Sequence, residues 1–252
     1  ALPELLDDRA GDEAGEGERD EGIELPHPEH HQRRADEQAE GRGARELPLD
    51  VVHARLAPRD ERQTADTLSR HGLVHRQYLL CVATLEPRKN LGLALRAHAQ
   101  LPEELRARYP LLLAGMRGWG RNAMASDLRQ VLASGHVRFI GYLDQNNLAD
   151  IIASARALIY PSLYEGFGLP VLEAMKSGTP VIISNRGALP EVAGGAGMIV
   201  DAENAGGMAE AMRRIIEDDH EWRIRREAGL IRAADFSWER CAGITAQVYR
   251  DA

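Results

Sequence analysis

The sequence predicts an α/β protein, a doubly wound parallel sheet followed by a helical tail, and three observations carry that prediction. From Tyr78 onward, short apolar runs alternate with amphipathic segments, the pattern of strands buried on both faces and joined by crossover helices. Between the runs, apolar residues recur at helical spacing. From Met208 through Tyr249 the chain reads almost entirely as helix.

Taken in order, strands are expected at Tyr78 to Ala83, Leu111 to Ala114, Val137 to Ile140, Ala157 to Tyr160, Pro180 to Ile183 and Met198 to Val200. The intervening helices are marked by Leu91, Leu95, His98 and Leu101, by Leu128, Val131 and Leu132, and by Leu148, Ile151 and Ile152. In the tail, breaks are expected near Asp218 to His220 and at Phe236, with Ser237 as N-cap of the last helix. The tail is expected to pack on the sheet or on a neighbouring domain. Residues 51 to 77 read as a linker, with a short helix at Thr64 to Leu68.

Charge divides the chain. Residues 1 to 50 hold 16 acidic residues against 6 arginines, a charge of −10 that leaves about +2 for everything after them. Aliphatic residues are sparse there, so burial cannot offset the entropy of ordering, and the segment is expected to be disordered or foreign to the domain at 78–252. His27, His30 and His31 lie among charges without a second ligand cluster at metal-binding spacing, so no metal site is assigned. Cys81 and Cys241 are far apart and read as reduced packing residues. No run approaches the ~20 apolar residues of a membrane span and no signal peptide opens the sequence, which favours the cytoplasm, with the inner membrane face as the alternative.

In an open parallel sheet, ligands bind beyond the carboxyl ends of the strands. Two such loops are unusual. The first, Thr84-Leu85-Glu86-Pro87-Arg88-Lys89-Asn90, places Arg88 and Lys89 just before a helix, and Lys89 is one of only two lysines in the chain. A cation at a helix N-terminus is unfavourable by roughly 0.3–1 kcal/mol unless an anion lies between it and the dipole. The plain alternative is a solvated loop. The second loop, Tyr164 to Leu169, leads through Pro170 into a helix, and the backbone of Gly166, Phe167, Gly168 and Leu169 can present free amides to a phosphate. Glu165 stands in this loop and Glu173 in the first turn of the helix that follows. An unpaired carboxylate at position 165 would repel an anion but suit a hydroxyl-rich group beside it; Glu173 also has a simple reading as a favourable charge near a helix N-terminus. Cations, helix amides and two carboxylates together describe a diphosphate flanked by two polyols, a nucleotide sugar. The absence of Gly-x-Gly-x-x-Gly after the first strand argues against a nicotinamide or flavin cofactor.

These residues resemble the family-four retaining glycosyltransferases of the GT-B fold. The resemblance runs over roughly residues 75 to 250 and rests on the 84–90 loop, Gly141-Tyr142-Leu143, the block from Pro161 to Pro170, the pair Glu165 and Glu173 eight positions apart, and Ser184-Asn185-Arg186 through Leu189-Pro190-Glu191-Val192. It is nearest to bacterial mannosyltransferase-like members of polysaccharide and O-antigen assembly. The resemblance implies a Rossmann-like C-terminal half of a GT-B enzyme and a retaining hexosyltransferase activity. It implies that Arg88 and Lys89 bind the donor diphosphate, that Gly166, Phe167, Gly168 and Leu169 supply backbone contacts, that Glu165 meets donor-sugar hydroxyls near the anomeric carbon, and that Glu173 binds the ribose. It further implies no metal or other cofactor, protein cations stabilising the leaving diphosphate instead. Two departures stand out. Residues 1 to 50 do not resemble the N-terminal domain that holds most acceptor contacts, and Ala83 stands where the family word usually begins with Gly.

The leading expectation is therefore a glycosyltransferase seen through its donor-binding domain, with a sugar or lipid-linked acceptor. The alternatives are a nucleotide-sugar-binding fragment without turnover of its own and a GT-B nucleotide-sugar epimerase. The spacing of Glu165 and Glu173 around Gly166-Phe167-Gly168 favours transfer. Net charge speaks against nucleic acid. In the tail, Arg213, Arg214, Arg223, Arg225 and Arg226 alternate with Glu217, Asp218, Asp219, Glu221 and Glu227, which indicates a solvated helix surface rather than a membrane-binding one.

Overall fold

The computed structural model describes residues 56–84, 86–115 and 134–251. The helix expected around Leu128, Val131 and Leu132, the histidines at 27, 30 and 31, and the acidic segment 1–50 lie outside the described residues.

Six described strands form one parallel sheet: β1 (Leu79–Val82), β2 (Leu111–Ala114), β3 (Val137–Gly141), β4 (Ala157–Tyr160), β5 (Val181–Ser184) and β6 (Met198–Val200), in the order β3-β2-β1-β4-β5-β6. Every expected strand is present, shifted at its ends by one residue or none. Tyr78, Ala83 and Pro180 fall outside the ladders, and Gly141 and Ser184 fall inside. The runs are strands because both faces are buried. Leu79, Cys81, Leu111, Leu113, Ile159 and Ile182 join one core, while Leu80, Leu112, Leu158, Val181 and Ile183 join the other. Burial pushes the Cys81 thiol up to about 12, as befits a packing residue. Cys241, expected to pack as well, is instead exposed.

The helices, in chain order, are α1 (Glu61–Arg70), α2 (Leu91–Ala99), α3 (Glu103–Arg108), α4 (Gln145–Ala153), α5 (Leu169–Lys176), α6 (Leu189–Ala193), α7 (Ala205–Glu217), α8 (Asp219–Ala234) and α9 (Trp238–Asp251). Helices α2 and α7 cover the first face of the sheet; α4, α5 and α6 cover the second. The tail breaks where expected. Asp218 closes α7 and caps α8, accepting from the amides of His220 and Glu221, and Ser237 accepts from the Arg240 amide at the start of α9. Of the three tail helices, α7 packs on the sheet as anticipated and α8 lies on α5, but α9 has no buried residue. Trp238, Ile244, Val248 and Tyr249 are exposed along it.

The linker reading of residues 51–77 needs correction over the described part. Helix α1 is twice the expected length, closed by a reciprocal capping box between Asp60 and Gln63. It packs on α4, and Leu68 and Leu73 belong to the second core. Its buried face is made of Thr64, Thr67 and Leu68, with the Thr67 hydroxyl donating to Asp150 at 2.5 Å and Arg59 paired with the same carboxylate. Hydrogen bonds take the place of an apolar stripe, which is why hydrophobic periodicity did not reveal it.

Candidate functional site

The chain winds one way from β1 to β3 and the other way from β4 to β6, so the strand order reverses between β1 and β4. At that reversal the crossover helices leave on opposite faces and a crevice opens beyond the carboxyl ends of the two strands. The two unusual loops of the sequence are the loops that follow β1 and β4.

After β1, Pro87–Lys89 form one turn of 3₁₀ helix, and Asn90, in the left-handed region at φ 50°, starts α2. The Asn90 side chain donates to the carbonyls of Pro161, at 3.2 Å, and Ala202, at 2.9 Å, while the Leu163 amide donates to the Arg88 carbonyl at 2.8 Å. These bonds lock the two loops together. Lys89 Nζ then reaches Glu165 Oε1 at 2.6 Å and the Tyr160 hydroxyl at 2.9 Å, with both side chains of the ion pair only 11% exposed. Arg88 is outermost, donating to Glu86 at 2.8 Å and lying 3.4 Å from Glu165 Oε2. The anion that the sequence demanded beside Lys89 is thus Glu165's own carboxylate, and Glu165 is not the unpaired charge the sequence suggested. Burial alone would raise its pKa; the hydrogen bonds of Lys89 and Ser162, the charge of Lys89 and, last, the Tyr160 hydroxyl outweigh that and hold it below the ordinary carboxylate value.

Glu165 leads into the N-terminus of α5. Gly168 is the N-cap at φ 98°, and a Cβ added there would come within 2.6 Å of Leu189 Cδ2. The left-handed backbone calls for glycine, and a Cβ would in addition have to push the end of the Leu189 side chain aside. At Gly166 an added Cβ would meet no protein atom, so packing does not demand a glycine and the bare backbone faces open space. Among the described residues the amides of Gly166, Phe167 and Gly168 have no acceptor, as an anion-binding helix entrance requires. The Phe167 ring is turned away, edge-on to Phe236 at 5.7 Å between centroids, where the tail passes from α8 to α9. Leu169 opens the helix with its side chain exposed.

Glu173 stands apart from this group. It is the fifth residue of α5, in the second turn rather than the first, and among the described residues its side chain makes no hydrogen bond or ion pair. Burial raises its pKa. A desolvated, unpartnered carboxylate is an acceptor in want of donors. A cavity of about 330 Å³ opens beside the cations, lined by Ala83, Thr84, Arg88, Lys89, Tyr142, Tyr160 and Pro170 among others.

Sequence reasoning passed over two contributors. Tyr160 reads as the end of a buried strand, and only its position beside two charged loops reveals its hydroxyl as a site group. Gly187, at φ 59°, lets the loop after β5 approach the Glu165 backbone, where a Cβ would lie 2.9 Å from the Glu165 carbonyl oxygen. Among the described residues no cluster of His, Cys, Asp and Glu is arranged to hold a metal ion, and no helix is long and apolar enough to cross a membrane.

Comparison with known proteins shows the family and the fold. The family model described as Glycosyl transferases group 1 matches residues 69–230. The O-antigen chain mannosyltransferase B of Escherichia coli is 39% identical over 210 residues, covering 81% of this chain and 55% of that protein. Among solved structures, a sucrose-phosphate synthase from Thermosynechococcus elongatus superposes with a TM-score of 0.66 at 28% identity, covering 79% of this chain and 50% of that one. The C-terminal domain of a group 1 family glycosyl transferase from Francisella tularensis superposes at 0.62 and 21% identity, covering 73% of this chain and 96% of that domain. The chain spans about half the length of the full-length relatives it matches.

Proposed function

Because the chain belongs to the group 1 glycosyl transferases, we propose that it is the donor-binding half of a retaining hexosyltransferase that takes a nucleotide diphosphate sugar and works in polysaccharide or glycolipid assembly. The observation that carries this reading is the meeting of Arg88, Lys89 and Glu165 with the free amides of Gly166 to Gly168 at the reversal of strand order. In transfer, the bond from the anomeric carbon to the diphosphate oxygen breaks, its electrons pass to the diphosphate, and an acceptor hydroxyl forms the new bond and gives its proton to the departing diphosphate. The leaving group gains negative charge. Arg88, Lys89 and the α5 entrance are suited to neutralise it, a role typically worth about 10² to 10³ in rate per donor. With the charge supplied by protein cations, the reading assigns no metal or other cofactor. Glu165 is suited to accept from hydroxyls of the donor sugar. Glu173, half-buried and with an unpartnered carboxylate, is suited to the paired hydroxyls of the ribose. The acceptor is read as a sugar or a lipid-linked sugar, the setting as the cytoplasm or the inner membrane face, and neither nucleic acid nor a membrane is assigned as a partner of this half.

A second reading, donor binding without turnover by this chain alone, is favoured by its coverage of 55% of the mannosyltransferase relative. Calorimetric titration with GDP and UDP, repeated on Lys89→Ala and Glu173→Ala, tests what the two readings share. Saturable binding of one nucleotide, weakened about tenfold or more by each substitution, is expected for lost charge-assisted bonds. A folded chain that binds neither nucleotide would refute both readings. Transfer of labelled sugar to an acceptor separates them.

A further inference from the structure

We propose that Tyr160 is a positioning residue of the site, its hydroxyl the fixed point that aims Lys89 at the donor diphosphate and holds Glu165 in place as an acceptor for the donor sugar. The inference rests on the donor-binding reading above and assigns a task to a residue that reading does not need.

The three groups form a closed triangle. Lys89 Nζ donates to the Tyr160 hydroxyl at 2.9 Å and to Glu165 Oε1 at 2.6 Å, and the Tyr160 hydroxyl donates to the same Oε1 at 3.1 Å. Lys89 and Glu165 are both carried on loops, one on a single 3₁₀ turn and the other before α5. Tyr160 is different. It is the last residue of β4, 2% exposed, with its ring in the second core, so its position is set by the sheet. Burial first, and then the charge of Glu165, push the phenol well above its ordinary pKa, so the hydroxyl keeps its proton and remains a donor.

The hydrogen-bond inventory shows what the hydroxyl leaves free. The ammonium has three N–H groups, two of which are used within the triangle. The third is available to a phosphate oxygen. On Glu165, Oε1 takes both triangle donors while Oε2 meets only Arg88, at 3.4 Å, and keeps lone pairs for sugar hydroxyls. When a diphosphate draws Lys89 away from Glu165, the hydroxyl holds a bond to each. Without it, the ammonium is tied only to Glu165, and a ligand that draws Lys89 from that carboxylate leaves the ammonium with nothing to aim it, while Glu165 keeps its outer contact with Arg88.

The test uses the whole chain, with Tyr160→Phe, Lys89→Ala, Glu165→Gln and the double variant Tyr160→Phe/Glu165→Gln. The probes are GDP, UDP, GDP-mannose and UDP-glucose, titrated from about pH 3.5 to 8 so that the range spans the lowered pKa of Glu165. Tyr160→Phe is expected to weaken the sugar nucleotide roughly 3- to 10-fold, the value of one hydrogen bond, and to weaken the bare nucleotide less. Loss of a donor to Glu165 raises its pKa, so the acid limb of sugar-nucleotide binding should move to higher pH. In the Glu165→Gln background that shift should vanish, which a merely structural role would not produce. Equal weakening of both ligands with an unmoved acid limb overturns the proposal while leaving donor binding intact. Loss of cooperative unfolding in Tyr160→Phe also overturns it, because the hydroxyl would then serve the fold. If Lys89→Ala binds as the parent does, the donor reading itself fails and the proposal falls with it.

Discussion

Replacing Glu165 by Gln is expected to make the domain less stable and its affinity for a bare nucleoside diphosphate higher. The Lys89 and Glu165 side chains are both 11% exposed and meet at 2.6 Å. Removing one partner of a buried pair typically costs about 3–5 kcal/mol, since a charge is left buried and uncompensated. Here Gln keeps a carbonyl oxygen for Lys89, and the Tyr160 hydroxyl still accepts from it. The loss is then closer to the difference between a charge-assisted bond and a neutral one, about 2 kcal/mol. For a domain of this size that lowers Tm by about 4–8 °C. The ligand should feel the opposite effect. In the parent chain a diphosphate must compete with Glu165 for Lys89 and Arg88; in the variant both cations are free of it, and about tenfold tighter nucleotide binding, 1.4 kcal/mol, is expected. Thermal unfolding with and without nucleotide reads both quantities, because ligand at 100 times its Kd adds about 2.7 kcal/mol. The reasoning is refuted if Tm is unchanged, or if Tm falls while nucleotide affinity falls with it. In the first case the pair contributes nothing; in the second Glu165 organises the anion site rather than competing for it.

Gly168→Ala should cost about 1–3 kcal/mol through its left-handed backbone and the 2.6 Å approach to Leu189, and should weaken nucleotide binding with it; urea unfolding and titration measure the two. Arg156→Ala should cost about 3 kcal/mol or more in urea with little effect on nucleotide affinity, because the buried guanidinium donates to the Ile215 and Ile216 carbonyls and to Asp219, and the two carbonyls would be orphaned far from the site. His98, buried against the Tyr109 carbonyl, has its pKa lowered by burial to about 4. The unfolded chain binds that proton more readily, so this contribution is complete above the ordinary value near 6.5 and is lost as pH falls toward 4, on the order of 3 kcal/mol in all. His98→Gln should flatten that part of the stability-against-pH curve. Glu173→Gln removes a desolvated, unpartnered charge, so Tm at neutral pH should hold or rise while nucleotide affinity falls about tenfold; a fall in Tm would show that the carboxylate has a structural partner.

What the sequence disclosed, and what it withheld, follows from where the information lies. Leu111 to Ala114 and Ala157 to Tyr160 were legible to the residue because a strand buried on both faces must be apolar throughout. The entrance to α5 was legible because Pro170 and Gly168 are demanded by backbone geometry, a local property. Helix α1 was legible only as a short helix at Thr64 to Leu68; its full length and packing were not, since three of its inward contacts run through threonine and arginine to Asp150 and Asn147, residues about 80 positions away. Exposure of α9 was equally hidden: its apolar residues recur at helical spacing as on any packed helix, and nothing local says whether a surface lies opposite. Glu165 was recognised as unusual but misread as unpaired, because its partner Lys89 lies 76 residues earlier in the chain.

That last misreading shows how the fold makes the site. Lys89 next to one helix entrance is repelled by that dipole, and Glu165 next to another would, unpaired, be a half-buried charge that repels the anion its neighbouring amides attract. Topology resolves both at once. Because β1 and β4 are adjacent, Leu79 pairing with Ala157 although they lie far apart in the chain, the two loops meet and each charge becomes the other's counterion. The arrangement is stable yet unsaturated: one N–H of Lys89, one oxygen of Glu165, most of Arg88 and three backbone amides are left to a ligand. A ligand that satisfies only the cations must displace Glu165, whereas one that brings an anion and hydroxyls together can engage Lys89 and Glu165 without leaving either desolvated and alone. The pairing that holds the site together therefore favours a diphosphate joined to a sugar over a diphosphate by itself. Abolishing that preference, not merely lowering affinity, is what distinguishes loss of Glu165 from loss of Lys89.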